Sequence, residues 1–129
     1  MKEKIQTTKA PEAIGTYSQG IKSGNLIFLS GQIPLDPETM ELVEGNENQI
    51  RQAFKNVASL CEASDSDISE IVKVNISLSD LSVFSQVNEI MKEYFDEPYP
   101  ARAALEVAKL PLGALIEIEA IIVKEDSST

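Results

Sequence analysis

PYPARAALEVAKLPLGALIEIE, residues 98–119, is the stretch whose reading decides the fold. From Ala101 to Ala108 it alternates, with Ala103, Leu105 and Val107 on one side and Arg102, Ala104 and Glu106 on the other, the period of a half-buried strand. Lys109-Leu110-Pro111-Leu112-Gly113 breaks the pattern. A second run then sets Ile116, Ile118, Ala120 and Ile122 against Leu115, Glu117, Glu119 and Ile121. Pro and Gly make the break a loop between paired strands. If the two apolar sets share a core face, Arg102 and Glu117 both point to the opposite one, a carboxylate-reading cation near a possible base. Read as residues alone, Arg102 is an ordinary surface or ion-pair arginine with Glu106 or Glu117 as its partner across the strands, and Glu117 and Glu119 are solvent-face residues of an edge strand.

Working back toward the N-terminus, Val83, Phe84, Val87, Ile90, Met91, Tyr94 and Phe95 recur at helical spacing behind a cap at Asp80 or Ser82, and the helix stops before Pro98. From Glu70 to Leu78 the chain alternates, Val72, Val74, Ile76 and Leu78 against Ile71, Lys73, Asn75 and Ser77. Ile50, Ala53, Phe54, Val57, Ala58 and Cys61 form one face of a first helix that begins after Gly45-Asn46 and ends near Ser64–Asp67, with Arg51, Gln52, Lys55 and Asn56 off the stripe. Cys61 completes that stripe and reads as core. Leu26–Gln32 is an apolar strand that should be covered on both faces, entered through a Ser23-Gly24-Asn25 hairpin turn. Residues 13–20 read as loop, residues 33–39 with two prolines as irregular, and Ile5–Thr8 as a short edge strand closed by Ala10-Pro11. The tail from Lys124 reads as frayed.

The order is hairpin, helix, strand, helix, strand, strand. It predicts an α+β domain over residues 1–129, two helices on one face of a mixed sheet. The other face would carry Ile71, Lys73, Asn75, Ser77, Arg102, Ala104, Glu117 and Ile121, too apolar for water and too polar for a core. Burial against other copies of the chain, with the polar groups converging on an intersubunit site, resolves the conflict.

Composition narrows the chemistry. Of 129 residues 43% are hydrophobic and 25% charged, a globular balance for one domain. Eleven Lys and Arg stand against 21 Asp and Glu, a net charge of -10, which argues against nucleic acid as a partner. There is no histidine, so Ser-His and Cys-His pairs and His-ligated zinc are excluded and proton transfer falls to Glu, Asp, Tyr, Lys or water. The single cysteine rules out an intrachain disulfide and fits a reducing compartment. With no run of signal-peptide or membrane-span length, the expectation is a soluble cytoplasmic protein. The acidic turn Asp36–Glu41 lacks the spaced ligands of a calcium site, and no metal is expected.

Two blocks carry a resemblance: AIGTYSQGIKSGNLIFLSGQIPLDPETMELVEG, residues 13–45, and PARAALEVAKLPLGALIEIEA, residues 100–120, with Asn88 between them. They resemble the RidA/YjgF family of enamine/imine deaminases from about Thr8 to Val123. The resemblance implies a chorismate-mutase-like fold with a mixed six-stranded sheet, assembled as a homotrimer with sites in the clefts between subunits. It implies hydrolysis of 2-aminoacrylate, 2-aminocrotonate and their imine tautomers, released by pyridoxal-phosphate-dependent serine and threonine dehydratases, to 2-keto acids and ammonia, with no cofactor on the deaminase.

By the same resemblance Arg102 clamps the substrate carboxylate through two parallel hydrogen bonds. Glu117 orients and deprotonates the attacking water, or passes a proton to the departing amine, its pKa raised by burial or lowered by Arg102. Tyr17, otherwise either a core ring or a pocket hydroxyl, lines the site. Ser30 and Gly31, otherwise a strand end with a bulge, form its floor, and Asn88 joins from the second helix. Ala104 stands where many relatives have cysteine, a change its backbone amide tolerates. Competing readings are a non-catalytic trimer that binds a 2-keto acid or amino acid through the same arginine, a ribonuclease or translation inhibitor, and a chaperone-like holder of unfolded chains.

Overall fold

In the computed structural model, which describes residues 1–124, the strands β1 (Lys2–Ile5), β2 (Gly20–Ser23), β3 (Leu26–Gln32), β4 (Ile71–Leu78), β5 (Ala101–Glu106) and β6 (Ile116–Val123) form one mixed sheet. Their spatial order is β1-β2-β3-β6-β4-β5, with β4 and β5 parallel and every other pair antiparallel. The helices α1 (Asn46–Ala63) and α2 (Phe84–Tyr94) pack on one face, where Val57, Leu60, Val87 and Ile90 meet Ile27, Val74, Ile76, Ile118 and Ile122 in a continuous core. Phe54 stacks on Tyr94 at 5.3 Å between ring centroids and meets Phe95 edge-on at 6.2 Å, joining α1 to α2. The α+β architecture is the expected one. The expected frayed tail lies in residues 125–129, outside the described residues, apart from Lys124.

Local chemistry accounts for most element boundaries. Gly24, at φ 62°, turns the β2–β3 hairpin where a side chain would be strained. Asp80 accepts the Ser82 N–H at 2.9 Å and opens the short turn Leu81–Val83 that leads into α2. The first strand runs over Lys2–Ile5, not Ile5–Thr8, because Thr7 and the Ala10-Pro11 segment are held instead by the Gln19 side chain.

Three face assignments change. Asn56 is fully buried although it stands off the apolar stripe: its amide donates to the Ile33 and Leu35 carbonyls at 3.2 and 3.0 Å and pairs with Gln52, fastening the proline-rich loop to α1. In β4 the register slips between Ile71 and Lys73, so Ile71 enters the core and Val72 is 45% exposed on the far face. In β5 the parity is reversed. Arg102 and Ala104 pair with the core-side Val74 and Ile76, while Ala103 and Leu105 share the far face with Asn75 and Ser77. The cause is position: β5 is the sheet's edge, past the centre of the helix layer, so its larger apolar residues do not mark the core side.

The far face is uncovered within the chain. Leu26, Phe28, Val72 and Leu105 all stand exposed on it, Leu105 by 64%, beside the half-buried Ile121. The expectation that β3 is covered on both faces therefore fails for a single chain: Ile27 and Leu29 are buried, Leu26 and Phe28 are not.

Candidate active site

One half of the site lies on the helix side of the sheet edge. The Arg102 guanidinium donates from Nη1 to Asn88 Oδ1 and approaches Met91 Sδ at 3.7 Å, with Cζ 4.8 Å from the centre of the Phe84 ring. Cation–π and hydrogen-bond contacts together hold a side chain that would otherwise sample many rotamers. Tyr99, Pro100 and Lys92 join Asn88, Met91 and Arg102 around an open cleft of about 450 Å³. The same parity turns the half-buried Ala104 side chain onto the core.

The other half lies on the far face. Glu117, opposite Ser77 across the β4–β6 ladder, is half-buried, and its carboxyl lies over Gly31, where a Cβ would come within 2.7 Å of Cδ. Only glycine leaves that space. Burial lifts the Glu117 pKa above the ordinary carboxylate range, and Glu119, two residues on and on the same face, lifts it further. Glu119 accepts a hydrogen bond from the Asn75 amide at 3.1 Å. Ser30 and Gly31 sit in a bulge between the pairs Leu29–Ala120 and Gln32–Ile118. Ser30 ties this bulge to the preceding loop, its hydroxyl donating to the Ser18 carbonyl at 2.5 Å and its N–H to the Gln19 carbonyl at 2.9 Å. In that loop Tyr17 is 53% exposed, so it is not a core ring, and its hydroxyl accepts the Ile14 N–H at 3.4 Å.

Arg102 and Asn88 meet on the helix side and Gly31 and Glu117 meet on the other, so the expectation that Arg102 and Glu117 share a face is overturned by the β5 register. Ser30 fastens the neighbouring loop, where Tyr17 lines a cavity with Thr7, Gln19 and Met40. Gln19 was not anticipated. Its buried side chain donates to the Thr7, Ala10 and Pro11 carbonyls and accepts the Thr7 N–H, fixing the loop that bears Tyr17. A lone polar residue between a loop and a strand leaves no periodic signal by which it could have been found.

Cys61 is buried in α1, where the apolar surroundings push its thiol up to about 12, so it is inert rather than nucleophilic. Among the described residues no cluster of three metal-ligating side chains occurs, and no helix is long and apolar enough to cross a membrane.

The chain is a two-helix, single-sheet α+β domain with Arg102 and the raised Glu117 carboxyl on separate faces of the sheet. Residues 7–124 match the model of the Endoribonuclease L-PSP family. The chain is 44% identical over 126 residues to the 2-iminobutanoate/2-iminopropanoate deaminase of Homo sapiens, covering 97% of this chain and 92% of that one. Its structure is similar to that of RidA from the Antarctic bacterium Psychrobacter sp. PAMC 21119, at TM-score 0.92 and 51% identity over 94% of this chain and 98% of that one. It is also similar to E. coli TdcF with bound serine, at TM-score 0.91 and 39% identity over 95% of this chain and 99% of that one. The chain belongs to the RidA/YjgF family.

Proposed function

We propose that the chain is a deaminase that hydrolyses reactive 2-imino acids and their enamine tautomers to 2-keto acids and ammonia, in sites completed between copies of itself. The kinship with 2-iminobutanoate/2-iminopropanoate deaminases supports the reaction. The observation that carries the chemistry is Glu117, a half-buried carboxyl with a raised pKa lying over a glycine, hence a stronger base than a solvated carboxylate.

In this mechanism Arg102 keeps its Nη1 contacts with Asn88 and Met91 and takes the substrate carboxylate in a forked pair of hydrogen bonds from Nε and Nη2. Glu117 removes a proton from water as the water oxygen bonds to C2 of the imine. Glu117 returns that proton to nitrogen to give the neutral carbinolamine, then carries the hydroxyl proton to the same nitrogen, and the C–N bond breaks as ammonia leaves and the keto C=O forms. No net electron transfer occurs, so the residues need no redox partner. Tyr17, with Ser30 and Gly31, walls the water side of the cleft, and Ala104 can contribute only through its backbone, since its side chain faces the core.

The reading takes the assembly to be a homotrimer, the number that the family resemblance implies. Support comes from the uncovered far face, whose apolar residues need a partner surface, and from the separation of Arg102 and Glu117, which a neighbouring copy would bridge. The free, buried Cys61 is compatible with a reducing cytoplasm as the working compartment. The bound serine of TdcF favours one second reading, a binding protein that holds an amino or keto acid without turnover. The net charge of -10 and the lack of histidine weigh against ribonuclease chemistry and a nucleic-acid partner.

The test is a serine dehydratase reaction that releases 2-aminoacrylate, followed by pyruvate and ammonia formation with and without the protein. Wild type should accelerate both above the uncatalysed rate. Arg102→Ala should lose about 2–5 kcal/mol of transition-state binding, the cost of leaving a carboxylate unpaired. Rates equal to background with wild type would leave only the binding reading.

A further inference from the structure

β5 turns a second charged side chain toward the helices. Arg102, Ala104 and Glu106 share one face, in register with Val74, Ile76 and Leu78 of β4. Ala104 packs on the core, and the charged residues on either side of it both reach the segment that bears α2. Arg102 meets this segment along its length, at Phe84, Asn88 and Met91. Glu106 meets it at its start, where Oε1 accepts the Leu81 N–H at 2.8 Å.

Leu81–Val83 runs straight into α2, so the Leu81 and Ser82 N–H groups open the whole helical segment and have no acceptor within it. Asp80 takes the second and Glu106 the first. A carboxylate at this end opposes fraying through both the hydrogen bond and the helix dipole. Phe84 follows Leu81 by three residues, and Asn88 lies about one turn further on.

We infer that Glu106 is a positioning residue for the arginine half of the site: by tethering the start of the α2 segment to the end of β5, it holds Phe84 and Asn88 where they orient the Arg102 guanidinium. The inference rests on the reading of Arg102 as the carboxylate anchor. Among the described residues Glu106 makes no hydrogen bond or ion pair with Arg102; its carboxylate bonds to the Leu81 N–H. A loosened guanidinium weakens binding of a carboxylate in ground and transition states alike, which raises KM and leaves kcat in place.

The experiment compares wild type with Glu106→Ala, Glu106→Gln and Leu81→Pro. Gln keeps an acceptor oxygen. Pro removes the donor at a first-turn position that tolerates it, and so breaks the same tether from the other side. Two quantities are measured on folded protein: KM and kcat for 2-aminoacrylate hydrolysis, and the Kd of 2-oxobutanoate by calorimetry. Glu106→Ala and Leu81→Pro should raise KM and Kd together by about 5- to 10-fold, the scale of one lost helix cap, with kcat within about twofold. Glu106→Gln should restore both to within about twofold of wild type.

Unchanged KM and Kd, a fall in kcat at constant KM, or a Gln variant as impaired as Ala would each overturn the inference. If Glu106→Ala does not fold, Leu81→Pro decides. Should wild type bind the keto acid but turn nothing over, deaminase activity fails and the Kd series alone judges Glu106. A wild type that does neither overturns both.

Discussion

Glu117 is the residue on which pH should act. Burial and the neighbouring Glu119 raise its pKa in the folded chain, so between the ordinary glutamate value and the raised one the folded state holds a proton that the unfolded state has released. Stability from this group is therefore full below that window and lost as pH rises through it. Glu117→Gln is neutral at every pH and escapes the loss. Its Tm should exceed that of wild type at neutral pH, and the gain should shrink in acid; a difference constant across pH contradicts the assignment. The same variant should lose about 10²–10⁴-fold in kcat and with it the acid limb of the kcat/KM profile, which in wild type should lie above the ordinary carboxylate range. Arg51 shows that an arginine on this protein need not serve a substrate: its bidentate pairing with Glu93, at 2.8 and 3.0 Å, joins α1 to α2 in solvent and holds the Glu93 carboxyl below its usual range.

At the scale of the element, the β3 bulge is where Gly31 meets the Glu117 carboxyl and Ser30 ties down the preceding loop. Gly31 has no left-handed φ, so alanine suits its backbone; the obstacle is the Glu117 carboxyl, 2.7 Å from where a Cβ would stand. Gly31→Ala should fold with a Tm within a few degrees of wild type yet lose on the order of 10²-fold in kcat/KM, because a catalytic group displaced by about an ångström forfeits its alignment. Calorimetry and steady-state kinetics on one preparation check both halves of that statement, and full activity would mean that Glu117 works from another rotamer. The elements also show how far periodicity reaches. α1, α2 and β6 face the core along their length, and their apolar stripes were legible because burial follows most of their residues, although on α1 Leu60 and Asn56 are buried off the stripe and Ala58 on it is only half-buried. β5, paired on one side only, and the slipped start of β4 were misread for the opposite reason: alternation there reports a pattern and not a direction.

For the whole molecule the decisive prediction concerns assembly. Arg102 and Glu117 lie on opposite sides of one sheet, and the proposed site draws them from two copies. Arg102→Ala and Glu117→Gln, each inactive alone, should regain activity when unfolded together and refolded. Random mixing places both intact residues at about a quarter of the sites. Sedimentation of the mixture should show an assembly larger than one chain. No recovery in a mixture that has exchanged subunits would mean that both groups act from the same chain.

Taken by itself, the sequence determined the order of the elements, the core faces of both helices and of β6, the hairpin at Gly24, and the exclusion of histidine-dependent chemistry. These follow from local patterns and from composition, which need no knowledge of neighbours. It also marked out Arg102 and Glu117 as the residues to watch. Only the tertiary structure decided that they are parted, that Asn56 and Gln19 are buried beneath loops, and that Gly31 clears the space Glu117 fills. Which side of a sheet a strand presents is set by the register it adopts against distant strands, and that register belongs to the packing of the whole chain.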